Sequence, residues 1–358
     1  MCLLKKDAFI ISQFDEDCKR FGKNLYKSKV LWYNMVNLMK KGESMRIITL
    51  TLSPAYDVHC YAEEFEAFCE NLATVTARDA GGKGVNISRA LSKNGISNTA
   101  VVVLGEENGA DFAQALNQDG LSWIAVPVSG RIRENLTLHT QGKPETRISF
   151  RGFKADVSLL DRVSDAIGDV DGETVITFTG RVPDGMDLPH VKTFLADLRA
   201  KGAKIVIDSK SFSISDLAEC RPWLIKPNEE ELAAYLGKHD VEMTDVRAFC
   251  MAMRSVGIDN VMVSLGEKGA CLACADGFFR AVPPPIQPLS SIGAGDSAIA
   301  GFLAEIVNGK TPAQCLQSAV AFGSAACLTA GTKPPRAEDV QTLRGQVELV
   351  FEGENTAS

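Results

Sequence analysis

From residue 45 onward the hydrophobic and polar positions of the chain follow two alternating patterns. Short apolar runs rich in β-branched residues end in glycine, proline or polar residues, which is typical of strands buried on both faces. Amphipathic stretches such as residues 187–202 lie between these runs and predict helices. The clearest strand-like runs are residues 46–52, 99–105, 174–180, 203–209, 223–227 and 260–266. The alternation predicts an α/β fold with a mostly parallel central sheet that is covered by helices on both faces.

Two regions interrupt this alternation. Residues 56–79 and residues 131–151 alternate like exposed strands and lack an intervening helix, so they predict a small second sheet that could act as a lid. The segment after residue 295 is mainly helical in pattern. We therefore expect one domain over residues 45–345, with an excursion into the small sheet, followed by a tail at residues 346–358.

The first 44 residues differ in pattern from the rest of the chain. The letters KKGES directly precede Met45, and codons for Lys-Gly-Glu can contain a purine-rich ribosome-binding sequence. We expect Met45 to be the true start and residues 1–44 to be a translated leader, with a genuine helical extension as the alternative. The segment has no signal-peptide pattern, and no apolar run approaches the roughly 18 residues that indicate a membrane span.

Composition and charge narrow the class of protein. The chain has 358 residues, 45% of them hydrophobic, and its net charge of -7 argues against a surface that wraps nucleic acid. Its ten cysteines show no disulfide-like framework, which favours a reducing cytoplasmic compartment. The one CxxC pair, Cys271 and Cys274, lies in a strand-like run and indicates a core strand rather than a metal or redox site.

One glycine-rich segment carries the clearest chemistry. In LSSIGAGDSAIAGFLAEI, residues 289–306, the letters GAGD precede apolar positions at helical spacing. The backbone N–H groups of Gly293, Ala294 and Gly295 would therefore lie at a helix N-terminus, where the helix dipole favours an anion. Asp296 is then either a helix cap or a catalytic base. The segment also satisfies G-x-G-x-x-A, but it does not follow the first strand as a dinucleotide fingerprint should.

Three further segments are candidate ligand loops. Residues 79–91, DAGGKGVNISRAL, open a predicted helix with three glycines, and a ligand site competes there with a structural turn. Residues 264–270, SLGEKGA, follow a strand and are either an ordinary hairpin or a ligand loop. Within residues 226–232, KPNEEEL, Asn228 and Glu231 lie one helical turn apart. This pair could orient a hydrated Mg²⁺, or it could simply cap a helix.

Together these segments make residues 45–345 resemble the ribokinase/phosphofructokinase-B superfamily of carbohydrate kinases. GGKGVN is similar to the first signature of that superfamily and SSIGAGDS to the second, and KPNEEE and SLGEKG lie between them in the expected order. TLSPAYD on the first strand is similar to the 1-phosphofructokinase and tagatose-6-phosphate kinase branch. The resemblance implies a ribokinase-like three-layer sandwich with a small β-sheet lid.

The resemblance also implies roles for individual residues. Asp296 would be the catalytic base, and the loop Gly293, Ala294 and Gly295 would hold the transferring phosphoryl group. The residues implied in sugar binding are Asp57, Gly81, Gly82 and Asn86, with Lys83, Arg133 and Arg147 as cations for the phosphate that the sugar already carries. The residues implied in nucleotide binding are Lys226, Asn228, Ser264, Leu265, Gly266, Glu267, Lys268 and Gly269, together with Gly295 and Asp296. Glu231 and Asn228 would orient Mg²⁺ through water.

The function implied is that of a cytoplasmic kinase dependent on ATP and Mg²⁺. Its expected reaction converts fructose 1-phosphate to fructose 1,6-bisphosphate. The alternatives are tagatose-6-phosphate kinase and, from another class, a non-catalytic sugar-phosphate sensor. No nucleic-acid or membrane partner is expected, whereas the lid sheets of two copies could pair into a homodimer. The segment DSKS, residues 208–211, departs from the usual superfamily pattern and receives no role.

Overall fold

Residues 45–353 are the part of the chain that the computed structural model describes, and the hypothesis about residues 1–44 lies outside it. The strands are β1 (Arg46–Thr51), β2 (Ala55–Ala62), β3 (Thr74–Gly81), β4 (Thr99–Gly105), β5 (Trp123–Val128), β6 (Arg133–Thr140), β7 (Thr146–Ser149), β8 (Thr174–Thr179), β9 (Lys204–Asp208), β10 (Leu224–Ile225), β11 (Asn260–Ser264), β12 (Ala270–Cys274), β13 (Gly277–Val282) and β14 (Glu348–Phe351). The helices are α1 (Lys83–Lys93), α2 (Gly109–Gln118), α3 (Ser158–Ile167), α4 (Leu188–Ala200), α5 (Ile214–Cys220), α6 (Glu229–Leu236), α7 (Met243–Ser255), α8 (Ala294–Ile306), α9 (Pro312–Cys327) and α10 (Ala337–Arg344).

Within these residues, ten strands form the main sheet in the order β14-β13-β12-β11-β10-β9-β8-β1-β4-β5. The strands from β11 to β5 pair in parallel, and β12, β13 and β14 continue the sheet as antiparallel strands at one edge. The mostly parallel sheet predicted from the sequence is therefore confirmed. In such a sheet the carboxyl ends of the parallel strands meet along one edge, which is where ligands bind.

Two helical layers cover this sheet because successive side chains of each strand point to opposite faces. On β1, Ile48 packs in the core beneath α3 to α7, whereas Ile47 packs in the core beneath α1 and α8 to α10. Ile176 and Val175 divide in the same way on β8. The strands are apolar on both faces for this reason, and the three-layer arrangement results from it.

A separate sheet of four strands forms in the order β3-β2-β6-β7 within the described residues. Strand β2 pairs in parallel with β6 and antiparallel with β3, and β6 pairs antiparallel with β7. One face of β2 is buried through Tyr56, Val58 and Cys60, which pack with Phe112 of α2. The other face of β2 carries polar residues, beginning with Asp57 next to the main sheet.

Some boundaries differ from the sequence-based expectations. The expected strand at residues 223–227 shortens to Leu224–Ile225, since the chain turns into α6 immediately afterwards. The expected tail at residues 346–358 contains β14, which pairs with β13 at the edge of the main sheet. Cys271 and Cys274 lie fully buried in β12, so the predicted core strand is confirmed.

Candidate active site

A cavity of about 1920 Å³ lies along the carboxyl ends of the parallel strands, next to the small sheet. Thr51 and Thr179, at the ends of β1 and β8, line this cavity, and their hydroxyl oxygens are buried without a hydrogen-bond partner. The predicted site residues that line the cavity are Asp57, Gly82, Lys83, Asn86, Arg133, Lys226, Asn228, Ser264, Gly266, Glu267, Lys268, Gly269, Gly293, Ala294, Gly295 and Asp296. Those that do not line it are Gly81, Arg147, Glu231 and Leu265. The cavity therefore brings together most of the residues that the motifs indicate.

The GAGD segment forms the N-terminus of α8 at the wall of this cavity. Gly293 caps the helix with a φ of 80°, a left-handed conformation that a residue with a Cβ rarely adopts. The N–H of Ala294 donates to the Ser291 carbonyl at 3.3 Å, and Asp296 lies in the first helical turn. The amide nitrogen of Asn86, on α1, donates to the Asp296 carboxylate at 2.9 Å. The two glycine-rich segments thus meet at one carboxylate.

Asp296 is a buried acid with an unusual protonation equilibrium. Burial raises the pKa of Asp296 to about 6, while the ammonium group of Lys83 opposes this rise and the Asp208 carboxylate adds to it. The N-cap of α8 is Gly293, which has no side chain, and the Asp296 carboxylate accepts a hydrogen bond from Asn86. A carboxylate with a pKa just below neutral pH is mostly ionised there and can accept a proton. Its geometry and ionisation suit a general base.

Two lysines and a second carboxylate form a charged cluster beside Asp296. The Asp208 carboxylate lies 2.9 Å from Nζ of Lys83 and 3.7 Å from Nζ of Lys226. Burial alone would raise the pKa of Asp208, but the two ammonium groups hold it below its usual range. The sequence pattern assigned Asp208 no role, since only the pairing of β9 with β10 brings it next to Lys226.

Lys83 lies beside the candidate base. Burial would lower the pKa of its ammonium group, but the carboxylates of Asp208 and Asp296 raise it. Lys83 thus lies among the charged groups around Asp296. That it contacts the phosphate already on the sugar, as the resemblance implies, stays a prediction.

The small sheet supplies the opposite end of the cavity. Asp57 of β2 pairs in register with Asn135 of β6, whose amide nitrogen donates to the Asp57 carboxylate at 2.9 Å. Arg133 donates in turn to the Asn135 side-chain oxygen at 2.9 Å. A Cβ at Gly81 would overlap the Asp57 carboxylate, so the glycine leaves room for this acid although it does not line the cavity. Burial raises the pKa of Asp57, and its bond to Asn135 opposes the rise.

Arg147 does not line this cavity, and its contact with the sugar phosphate stays a prediction. It lies on β7, is mostly exposed, and pairs with Glu145 at 2.8 Å. In the sheet it is opposite Thr137, two residue pairs farther from the main sheet than Asn135. Arg181, which follows β8, lines the cavity instead and was missed because it belongs to no recognised motif.

The segment after β11 forms the expected loop. Ser264 ends the strand, a short 3₁₀ turn spans Gly266–Lys268, and Leu265 is buried beneath it. Apolar residues continue the cavity wall beside this loop, a feature that the motifs do not reveal. They are Ala233, Ala234, Ile286, Ala319 and Val320.

Asn228 and Glu231 form a capping box at the start of α6. The N–H of Glu231 donates to the Asn228 side chain at 2.7 Å, and the N–H of Asn228 donates to the Glu231 carboxylate at 3.2 Å. Residues 45–353 contain no group of three His, Cys, Asp or Glu that could cage a metal. The other oxygen of the Glu231 carboxylate lies 4.0 Å from Nζ of Lys210. A single carboxylate of this kind could still orient a hydrated Mg²⁺, which keeps several waters and takes few protein ligands.

Comparisons with known proteins indicate the family and the fold of this chain. A family model described as pfkB family carbohydrate kinase matches residues 49–339. The 1-phosphofructokinase of Escherichia coli K12 is 31% identical over 284 residues, covering 79% of this chain and 91% of the relative. The 1-phosphofructokinase of Vibrio cholerae is 27% identical over 307 residues, covering 85% and 96%. The crystal structure of phosphofructokinase-2 from Escherichia coli in complex with potassium has a TM-score of 0.78 at 25% identity, covering 84% and 99%.

The fold and site thus define a carbohydrate kinase, a phosphotransferase with an alcohol group as acceptor. The chain belongs to the pfkB family. The resemblance seen in the sequence and the ribokinase-like fold are both confirmed. None of the helices in the described part of the chain has the length and apolar character needed to cross a membrane.

Proposed function

We propose that this sugar-phosphate kinase converts fructose 1-phosphate to fructose 1,6-bisphosphate with ATP. The observation that carries the proposal is the buried Asp296 at the N-terminus of α8, facing a cavity whose other end holds Asp57 and Arg133. The end of the cavity at Asp296 suits phosphoryl transfer, and the end at Asp57 and Arg133 suits the binding of a sugar phosphate.

Asp296 would take the proton of the attacking sugar hydroxyl. The hydroxyl oxygen forms a bond to the γ-phosphorus of ATP, the bond from that phosphorus to the β–γ bridging oxygen breaks, and ADP leaves. The N-terminus of α8 at Gly293, Ala294 and Gly295 would stabilise the charge on the transferring group. Lys83 and Lys226 add two ammonium groups beside it, with Asp208 holding both in place.

The sugar would bind between the small sheet and α1. The Asp57 carboxylate and the Asn86 side chain can bond sugar hydroxyls, and Gly82 permits close approach of the backbone. Asn86 has a buried side-chain oxygen without a partner, which is a ready acceptor for a hydroxyl. Arg133 would contact the phosphate that the sugar already carries.

The nucleotide would lie along the loop from Ser264 to Gly269. The adjoining apolar wall suits a purine ring, whereas Lys226 reaches the phosphate end. Glu231 and Asn228 would hold Mg²⁺ through water, and the ion would neutralise charge on the ATP phosphates. We also propose that two copies pair through the small sheet, which carries exposed apolar side chains at Tyr61 on one face and at Ile148 on the other.

A panel of sugars in a coupled ADP-release assay tests the proposal. Fructose 1-phosphate is expected to give the highest kcat/KM, above fructose 6-phosphate, tagatose 6-phosphate and unphosphorylated fructose. A preference for tagatose 6-phosphate would assign the alternative kinase. Binding of a ketose phosphate without any ADP release would instead indicate a sensor and contradict the proposal.

A further inference from the structure

Residues 209–211 follow β9 at the carboxyl end of the main sheet and have no role in the site described above. Two serines hold this turn: the N–H of Ser211 donates to Oγ of Ser209 at 3.2 Å, and the N–H of Val182 donates to Oγ of Ser211 at 3.3 Å. Lys210 lies between the two serines and lines the main cavity, and its side chain is 65% exposed. The turn thus fixes the backbone of Lys210 and leaves its ammonium group free to move at the cavity.

Lys210 has a looser ion pair than the other lysines of the cavity. Nζ of Lys210 lies 4.0 Å from Oε1 of Glu231, which is too far for a hydrogen bond. The ammonium groups of the other lysines among residues 45–353 that line the cavity lie 2.6–3.7 Å from a carboxylate oxygen; these are Lys83, Lys226, Lys238 and Lys268. Lys210 is also the most exposed of the five, so its ammonium group is the one that can most easily take another acceptor.

The Glu231 carboxylate needs a cation beside it when a nucleotide is bound. Its Oε2 accepts the N–H of Asn228, whereas its Oε1 faces Lys210. The Glu231 side chain is mostly buried and is close enough to Lys83 to raise the pKa of that lysine. Charges in a mostly buried site are weakly screened, so this carboxylate would repel the phosphates of a bound nucleotide. Either Mg²⁺ or the ammonium group of Lys210 can remove the repulsion.

We propose that Lys210 is a nucleotide-binding residue that changes partners when Glu231 takes up Mg²⁺. In the absence of the ion, its ammonium group lies between the Glu231 carboxylate and the phosphates and neutralises Glu231. Once Glu231 orients hydrated Mg²⁺, Lys210 leaves the carboxylate and contacts phosphate oxygens alone. The proposal rests on the proposed function for ATP and Mg²⁺ and deepens it by adding a residue to the phosphate site.

A lysine at this turn suits such an exchange. Its ammonium group is a compact charge with three donors on a flexible stem, so it can turn from one acceptor to another without a change in the backbone. Lys83 and Lys226 share the Asp208 carboxylate, which offsets part of their charge. Lys210 does not contact Asp208, and it therefore adds positive charge where a phosphoryl group is transferred.

The test uses Lys210→Met, which removes the ammonium group at an exposed position and keeps most of the stem. The ligand is an ATP analogue with nitrogen in place of the β–γ bridging oxygen, and its binding is measured by calorimetry without sugar, once with Mg²⁺ and once with EDTA. With Mg²⁺, the Kd is expected to rise about tenfold, the lower end of the effect of losing a charged hydrogen bond. With EDTA the rise should be larger by about another tenfold, because Glu231 then repels the phosphates without a counter-charge.

Glu231→Gln tests the partner exchange itself. In this variant the side chain at 231 carries no charge, so adding Lys210→Met should raise the Kd equally with Mg²⁺ and with EDTA. The difference between the two buffers is thus expected only while Glu231 is present, which a purely structural role of Lys210 would not produce.

Lys238→Met is the matched control. Lys238 is a half-exposed lysine that lines the same cavity, and it pairs with Asp245 at 2.6 Å. Any effect of Lys238→Met on the Kd should be the same in both buffers. The melting temperature of each variant is recorded to show that the proteins are folded.

The outcomes separate this proposal from the choice of sugar. An unchanged Kd in Lys210→Met would overturn the proposal, and so would a rise that is equal with Mg²⁺ and with EDTA. If the wild-type protein binds the analogue but phosphorylates no ketose phosphate, the proposed substrate fails, and the Kd values still decide the role of Lys210. If the wild-type protein does not bind the analogue, both proposals fail.

Discussion

At the scale of single residues, Asp296 at the cavity and the neighbouring buried Asp208 have surroundings that move their pKa values in opposite directions. Burial raises the pKa of Asp296 to about 6, whereas Lys226 and Lys83 overcome the effect of burial on Asp208 and hold its pKa low. When two neighbouring acids have such different pKa values, they can take different roles in catalysis. Asp208 stays ionised and positions the two lysines, which leaves Asp296 as the acid able to exchange a proton near neutral pH.

The first prediction concerns the pH dependence that Asp296 imposes. A base with a pKa of about 6 in the free enzyme is protonated below that pH, so kcat/KM should fall about tenfold per pH unit below pH 6. Asp296→Asn should lower kcat by roughly 10²–10⁴-fold and remove the part of this decrease that Asp296 causes. The measurement is kcat and kcat/KM from pH 5 to 8 for both proteins, with their melting temperatures.

The variant also serves as the control for this experiment. The phosphate of the substrate also titrates near pH 6. If the residual activity of Asp296→Asn still decreases toward low pH, this decrease is due to titration of the substrate. Because Asn caps a helix about as well as Asp, a mere cap would leave turnover nearly intact after the exchange. A folded Asp296→Asn protein with near-normal kcat is therefore incompatible with the proposed mechanism.

The residues that the sequence did not reveal share a physical reason. Asp208 and Asn135 acquire their partners from segments far away in the chain: Asp208 from the residue after β10 and from α1, Asn135 from β2. A sequence motif consists of residues that are close along the chain, whereas these contacts join residues that only the strand order of the sheet brings together. Asp296 and the glycines around it could be predicted because a helix N-terminus is a local structure.

At the scale of elements, hydrophobic pattern predicted buried strands better than edge strands. Each run of apolar residues identified in the sequence contains a strand of the main sheet, but β5, β13 and β14 were not identified individually. Strand β5 contains Pro127, which a central strand excludes and an edge strand tolerates, and β5 is indeed at the edge. Strand β14 is only four residues long and largely exposed, so its apolar signal is weak.

The second prediction separates the two roles of the α6 N-terminus. Glu231→Gln should keep the melting temperature, because glutamine also accepts the Asn228 N–H in a capping box. If Glu231 also orients hydrated Mg²⁺, loss of its charge should raise the Mg²⁺ concentration for half-maximal activity by about tenfold or more, the usual effect of outer-shell changes. Titration of Mg²⁺ at fixed ATP measures this.

A matched control lies on α5. Asp216 occupies the same position in a capping box with Ser213, and Ser213 does not line the cavity, whereas Asn228 of the α6 capping box does. Asp216→Asn should leave the Mg²⁺ requirement unchanged. If Glu231→Gln and Asp216→Asn need the same Mg²⁺ concentration for half-maximal activity, Glu231 only caps α6 and does not contribute to the metal site.

At the scale of the whole molecule, parallel strand order explains how distant motifs form one site. Thr51, Thr179, Asp208 and Ser264 each end a parallel strand, so the sheet places them along one edge although they span more than 200 residues of chain. The sequence pattern could predict that such an edge exists. It could not predict which strands are neighbours, because strand order depends on packing between helical layers that hydropathy does not encode.

The last prediction concerns the chain from Met45 onward. Strand β1 begins at Arg46, whose guanidinium donates to the carbonyls of Ile167 at 2.9 Å and Asp169 at 2.8 Å, and Ile47 is fully buried. Both sheets and their cores are complete within the described residues, so a protein starting at Met45 should fold and act like the full chain. The truncated protein should have the same melting temperature and kcat as the full chain. Its sedimentation coefficient, corrected for mass, should also match that of the full chain and correspond to the homodimer that we propose through the small sheet. Loss of soluble protein on this truncation would show that residues 1–44 belong to the folded enzyme and contradict the leader hypothesis.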